Sequence, residues 1–208
     1  MVDRFILTTV LLLLSGGFDS PVAGYLLQKA SYKVIALNYS QEPFVDPSHS
    51  LKAQQIAEQM NFNPFIKINI GNELLEISQN AKHAYYFVLM KRLMYKIASE
   101  VAKKNNCDFI ATGESIGQVS SQTLTNLSVL ENSLSGIPIL RPLITYSKEE
   151  IINLAKEIGT FEISKQPESC DRLGPSKPIT NANLEYTLNE EAKVPIEKYV
   201  KEIISKMS

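Results

Sequence analysis

The sequence predicts a doubly wound α/β fold: a mostly parallel five-stranded sheet with helices on both faces. Three observations carry that prediction. Short apolar runs near residues 10–14, 33–38, 64–69, 107–111 and 136–140 alternate with longer stretches whose apolar residues recur at helical spacing. Such a β–α alternation needs crossover helices, and these cover a parallel sheet on both sides. The glycine turn after the first run, the loop from Asn38 to His49 and Thr112-Gly113-Glu114 all follow the C-terminal ends of predicted strands. Ligands of such sheets bind beyond those ends.

In order along the chain, Val10 to Leu14 is an unbroken apolar strand leading into Ser15-Gly-Gly-Phe-Asp-Ser20. Val22, Ala23, Leu26 and Leu27 mark a helix from about Asp19 to Lys29, and Lys33 to Asn38 is a second buried strand. Ser48 or Ser50 is placed to cap a helix whose apolar face is Leu51, Ala53, Ile56, Ala57 and Met60. Pro64 to Asn69 is the third strand, and a short helix over Glu73 to Ser78 follows it. The longest helical pattern runs from about His83 to Lys104, with Tyr85, Val88, Leu89, Leu93, Met94, Ile97 and Val101 on one stripe. Cys107 to Ala111 is strand four, Ile116 to Leu127 a polar helix, and Gly136 to Leu140 leads into strand five. Ser147-Lys-Glu-Glu150 has the form of a capping box for a helix ending at Gly159. Residues 1–178 form one domain in this reading. Residues 179–208 are an extension whose Ile196, Tyr199, Val200, Ile203, Ile204 and Met207 make an amphipathic helix docking on the body. The same stripe would also suit a homodimer or partner contact.

Composition narrows the function classes. The formal net charge is −1, whereas a chain that grips nucleic acid by itself usually carries a basic excess. Arg4 and the apolar stretch to Leu14 imitate a secretory leader, yet Asp3 sits in the would-be basic region and no small-residue cleavage site follows. The run also falls short of the ~20 residues needed to span a bilayer. The expectation is a cytoplasmic protein without a membrane segment. Cys107 and Cys170 are far apart and His49 and His83 are the only histidines, so neither a disulfide framework nor a zinc site is expected.

Ser15 to Ser20 is neither a Walker A loop nor a dinucleotide fingerprint. A strand, two glycines and a helix start aim backbone N–H groups at one point, where a phosphate is stabilised. Ser15 and Ser20 add hydroxyls, and Asp19 is placed to hold Mg²⁺ against phosphates. The motif S-G-G-x-D-S resembles that of the PP-loop ATP pyrophosphatases. Thr112-Gly-Glu-Ser-Ile-Gly-Gln-Val-Ser-Ser-Gln-Thr123, Leu140-Arg-Pro-Leu143, Lys148-Glu-Glu-Ile-Ile152 and Pro167-Glu-Ser-Cys170 extend the likeness. Together they resemble the PP-loop domain of the tRNA-uridine 4-sulfurtransferase family (4-thiouridine synthetases, also linked to thiamine thiazole formation).

That resemblance implies a reaction in two steps. ATP adenylates O4 of a tRNA uridine and releases pyrophosphate; a persulfide or sulfide then attacks C4 and displaces AMP. It implies ATP and Mg²⁺ bound by Ser15, Gly16, Gly17, Phe18, Asp19 and Ser20, with Asn38, Gly113, Glu114, Gly117 and Gln118 lining the nucleotide crevice. Lys148 matches a lysine needed for activity, and Cys170 a cysteine of sulfur transfer. A solvated lysine in a first helical turn is the plain alternative for Lys148. Arg141 either binds phosphate or RNA or pairs with a core carboxylate, and Lys91 and Arg92 either touch RNA or lie on a solvated helix face. Cys107 reads as a small core residue. The family carries ferredoxin-like and THUMP domains ahead of the PP-loop; this chain starts about ten residues before its first strand. The expectation is therefore a partner with a THUMP-type domain that grips tRNA, plus a persulfide donor. Two other readings stand beside it: a non-catalytic ATP-binding scaffold, and another PP-loop thiolating or amidating enzyme.

Overall fold

The computed structural model describes residues 8–117, 122–167 and 171–207. Its sheet has five strands in the order β3-β2-β1-β4-β5, all parallel. β1 is Thr9–Leu13, β2 Lys33–Ser40, β3 Phe65–Asn69, β4 Phe109–Ala111 and β5 Ile139–Leu140. Between them run α1 (Asp19–Lys29), α2 (Ser48–Met60), α3 (Gly71–Asn80), α4 (Tyr86–Lys104) and α5 (Leu124–Glu131). After β5 come α6 (Lys148–Glu157), α7 (Phe161–Ser164), α8 (Leu184–Glu191) and α9 (Ile196–Ser205).

β1 shows why the apolar runs are strands. Its side chains alternate between two cores: Leu11 joins one, Val10, Leu12 and Leu14 the other. β2 divides the same way, with Ile35 and Leu37 on one face and Val34 and Ala36 on the other. Burying each such side chain contributes roughly 1.5–3 kcal/mol, so the central strands fix the register. The chain reverses its winding between β1 and β4, which pair directly with Val10 opposite Phe109 and Leu12 opposite Ala111. That switch point is where a doubly wound sheet opens a ligand crevice.

Several elements differ from the sequence expectation, each for a local reason. Gly117 takes φ +77° and turns the chain, and Thr123 caps α5 by accepting the Asn126 N–H, so the helix begins at Leu124 rather than Ile116. α2 follows Pro47, and neither Ser48 nor Ser50 supplies a side-chain cap. On that helix Leu51 is 56% exposed while Lys52 is 2% exposed, the reverse of the apolar stripe. α7 and α8 are additional, and Asn183 caps α8 by accepting the Tyr186 N–H. The capping box at Ser147 and Glu150 is present as expected. Ile196, Val200 and Ile203 of α9 are buried, and α9 packs on α4. Among the described residues, no helix is long and apolar enough to cross a membrane.

Candidate active site at the β1/β4 switch point

The Ser15–Ser20 turn joins β1 to α1 at the switch point. The Ser15 N–H donates to Ser20 Oγ over 2.9 Å, and the Gly17 N–H donates to Ser15 Oγ over 3.3 Å. The two hydroxyls lie 3.1 Å apart. The serines thus shape the turn, and α1 starts at Asp19 with its first N–H groups free of intrahelical acceptors. Gly113, at the end of β4, is pressed against that helix start. A Cβ there would lie 2.6 Å from the Ser20 nitrogen and 2.7 Å from the Asp19 carbonyl carbon. Glycine is what lets the β4 loop reach the helix start.

Asp19 opens α1 on this turn, and Lys148 opens α6 within electrostatic reach of it. Burial raises the Asp19 pKa, and the Lys148 charge, from the start of α6, opposes the rise. Lys148 is exposed at its own position yet acts electrostatically on the turn.

On the other side of the turn, the ends of β1 and β2, the start of α2 and Met90 and Met94 of α4 enclose a cavity of about 210 Å³, far beyond the ~30 Å³ share of one water. Asn38 Nδ2 donates to the Leu14 carbonyl over 2.9 Å, which leaves its Oδ1 as an acceptor. Asn38 Oδ1, Ser40 Oγ, Gln41 Oε1 and Ser50 Oγ all belong to residues lining the cavity, and all are buried without a hydrogen-bond partner. Four orphaned polar atoms around one cavity suit a ligand rich in donors and acceptors. Of these, sequence reasoning found only Asn38. Ser40 and Gln41 carried a signal, being at the same strand end; Ser50 faces inward only because α2 starts where it does. Asp171 also lines this cavity, and its Oδ2 accepts the Tyr86 hydroxyl over 2.9 Å. Cys170 and Gln118 lie outside the described residues.

Glu114 is a buried hub behind the crevice. Its Oε1 accepts from Lys91 Nζ over 2.8 Å; its Oε2 accepts from Tyr95 Oη over 2.7 Å, Arg141 Nε over 2.8 Å and Thr112 Oγ1 over 3.1 Å. Burial pushes its pKa up, but Lys91, Arg141 and Tyr95 pull it further down, to about 2. Arg141 thus pairs with a core carboxylate, and with Glu131 as well. Lys91 likewise turns inward to Glu114. The Arg92 side chain is 2% exposed, held by Glu191 and the Val129 carbonyl, and presents neither a solvated face nor a surface to RNA. Gly117 is exposed in its turn. Burial raises the Cys107 thiol to about 11, with Asp108 adding to the rise, so it stays protonated at neutral pH.

This geometry has close parallels among known proteins. The chain is 38% identical over 203 residues to a probable tRNA sulfurtransferase of Finegoldia magna, covering 95% of this chain and 52% of that protein. It is 39% identical over 193 residues to a probable tRNA sulfurtransferase of Halothermothrix orenii, covering 90% and 48%. The solved structure of a 4-thiouridine synthetase in complex with RNA and bound ATP superposes with a TM-score of 0.89 at 32% identity, covering 95% of this chain and 53% of that one. The chain thus spans about half the length of the relatives it matches. Residues 5–196 match the model of the thiamine biosynthesis protein (ThiI) family, and the chain belongs to that family.

Proposed function

We propose that this chain binds ATP with its pyrophosphate on the Ser15–Ser20 turn and its adenosine in the cavity between β1, β2 and α4. In this reading it is the adenylating and sulfur-inserting part of an enzyme that makes 4-thiouridine in tRNA. The observation that carries the proposal is the meeting, at the switch point, of a glycine turn at a helix start with a cavity lined by four unpartnered polar atoms. The uridine O4 attacks the α-phosphorus, forming an O4–P bond as the bond to the β-phosphate oxygen breaks and pyrophosphate leaves. A sulfur nucleophile then attacks C4, and AMP departs with O4. Lys148 stabilises the negative charge that develops on the transferring phosphate. Among the described residues no group of three or more His, Cys, Asp or Glu could hold a metal by itself. One desolvated carboxylate beside phosphates fits Mg²⁺, which commonly binds through one or two carboxylates and the substrate's own oxygens. Asp19 is that ligand here, and the ion when bound neutralises phosphate charge.

Cys170 accepts the outer sulfur of a separate persulfide donor, whose thiol leaves. The Cys170 persulfide is the nucleophile at C4, and a second thiol, from the donor, then attacks Cys170 sulfur, which releases 4-thiouridine and leaves Cys170 in a disulfide. tRNA is gripped by a THUMP-type domain outside this chain, and thiamine thiazole synthesis draws on the same sulfur chemistry. The reading also places the chain in the cytoplasm, with residues 1–178 as the PP-loop domain and 179–208 as its extension, whose α9 stripe is spent on α4 and is not left for a homodimer. The test is exchange of labelled pyrophosphate into ATP in the presence of uridine-containing tRNA and the THUMP-type partner. The expected result is tRNA-dependent exchange lost in Asp19→Ala; exchange unchanged in that variant would refute the assignment.

A further inference from the structure

α7 touches the Ser15–Ser20 turn at a point that controls its donors. Ser164 Oγ donates to the Gly17 carbonyl over 3.2 Å. The Gly17–Phe18 peptide is trans, the cis bonds lying at Glu42–Pro43 and Asn63–Pro64. A trans peptide points its C=O and N–H in opposite directions. Drawing the Gly17 carbonyl toward α7 therefore turns the Phe18 N–H back across the turn. The N–H groups of Ser15 and Gly17 are already committed to hydroxyls, and Pro21 has none. The donors left to meet an anion are the Gly16 N–H and those at the start of α1, Phe18 being the first of the latter.

α7 is itself held in place on both sides of Ser164. The Phe161 ring lies against Phe18 with centroids 5.4 Å apart. Lys52 Nζ donates to the Gln166 carbonyl over 3.1 Å. The Lys52 stem also covers Gly16, where a Cβ would come within 3.0 Å of Lys52 Cε. One buried lysine thus braces both the turn and the end of α7.

We propose that Ser164 is a positioning residue for the pyrophosphate-binding turn: its hydrogen bond to the Gly17 carbonyl aims the Phe18 N–H at the anion, and Lys52 holds α7 where Ser164 can make that bond. The proposal rests on the reading that the turn binds the pyrophosphate of ATP. Ser164 need not touch the nucleotide; it acts through a peptide plane. Its removal should weaken binding of the phosphates while leaving the adenosine cavity, whose lining includes neither Ser164 nor Phe18, unchanged.

The experiment uses the full chain, Mg²⁺ and inorganic pyrophosphate, read by amide ¹H–¹⁵N spectra, with ATP affinity measured by calorimetry. In the unaltered protein, saturating pyrophosphate should shift the Phe18 amide downfield. In Ser164→Ala that shift should fall by at least half at saturation, and the Kd for ATP should rise about tenfold, as expected for loss of one charge-assisted contact. Adenosine alone should bind as before. Ser164→Cys, nearly the same size but a poor donor, should behave like Ser164→Ala and replaces it if the alanine variant fails to fold. Lys52→Met should move both readouts in the same direction by less. Wild-type shift and affinity in both Ser164 variants would overturn the proposal alone. No binding of ATP or pyrophosphate by the unaltered protein would overturn the ATP reading and this proposal with it.

Discussion

Replacing Glu114 with glutamine tests the organisation behind the crevice most directly. The side chain is 6% exposed and accepts four hydrogen bonds, two of them from the cations Lys91 and Arg141. Glu114→Gln preserves the shape but removes the negative charge and turns one accepting oxygen into a donor. The new amide must then face either the Lys91 ammonium or the donors on Oε2. Breaking a buried ion pair by removing one partner typically costs about 3–5 kcal/mol, because the remaining charge is left in a poor solvent. Arg141 retains Glu131, whose side chain is 49% exposed, and Lys91 is 19% exposed. The low end of that range, about 3 kcal/mol, is therefore expected. With a urea dependence of about 2–3 kcal/mol/M for a chain of this size, the midpoint should fall by about 1 M. A cycle with Arg141→Met should show coupling above about 1 kcal/mol, since the two groups share a bond. A midpoint shift under about 0.3 M, or strict additivity in the cycle, would refute the hub.

Four further outcomes follow from the same geometry. Because the Glu114 pKa lies at about 2 in the folded protein against an ordinary 4.5, its stabilisation is complete above about pH 4.5 and is lost as pH falls toward 2; acid unfolding curves should lose that slope in Glu114→Gln, and identical curves would count against it. Gly113→Ala must push β4 and the α1 start apart, since its Cβ would meet backbone atoms at 2.6 and 2.7 Å, so about 1–3 kcal/mol of stability should be lost. Gly17→Ala meets only Ser15 Oγ at 3.5 Å and should leave the thermal midpoint nearly unchanged. Lys148→Met removes the charge that holds the Asp19 pKa down against burial, so the carboxyl titration of Asp19 in ligand-free protein, followed by NMR, should move to higher pH; no movement would make Lys148 an ordinary solvated residue.

The fold was legible because its main signals are local. The apolar run into Ser15–Ser20, the helical stripe of α4 and the Ser147 capping box are each written within one contiguous segment, and each appears as the sequence implies. The turn and Gly113 could be placed together because parallel topology puts all strand C-termini at one end. What the sequence did not reveal depends on contacts between distant segments. Lys52 is buried because the Gln166 carbonyl, far along the chain, meets its ammonium. Arg92 enters the core because α8 brings Glu191 to it. α7 and α8 are short, and α8 shows Leu188 43% exposed, so neither carries a clear apolar period. The inward-facing serines at 40 and 50 look like loop and cap residues until the cavity between them is seen.

The fate of the cations also bears on how RNA could be held. The basic residues that sequence reasoning offered to RNA, Lys91, Arg92 and Arg141, are each bound to acids inside the molecule. Their partners Glu114 and Glu191 are withdrawn with them, so burying these groups leaves no basic excess on the surface of a chain whose net charge is −1. A phosphate backbone gains affinity from exposed cations that release its counterions, and ion-paired internal arginines release none. The ion pairing supports the division of labour proposed above, in which this chain activates the base and a separate domain grips the tRNA. This chain alone should therefore bind tRNA more weakly, and with a shallower salt slope, than the assembled enzyme does. Equal affinity and salt slope for tRNA in the two would put the RNA grip back on this surface.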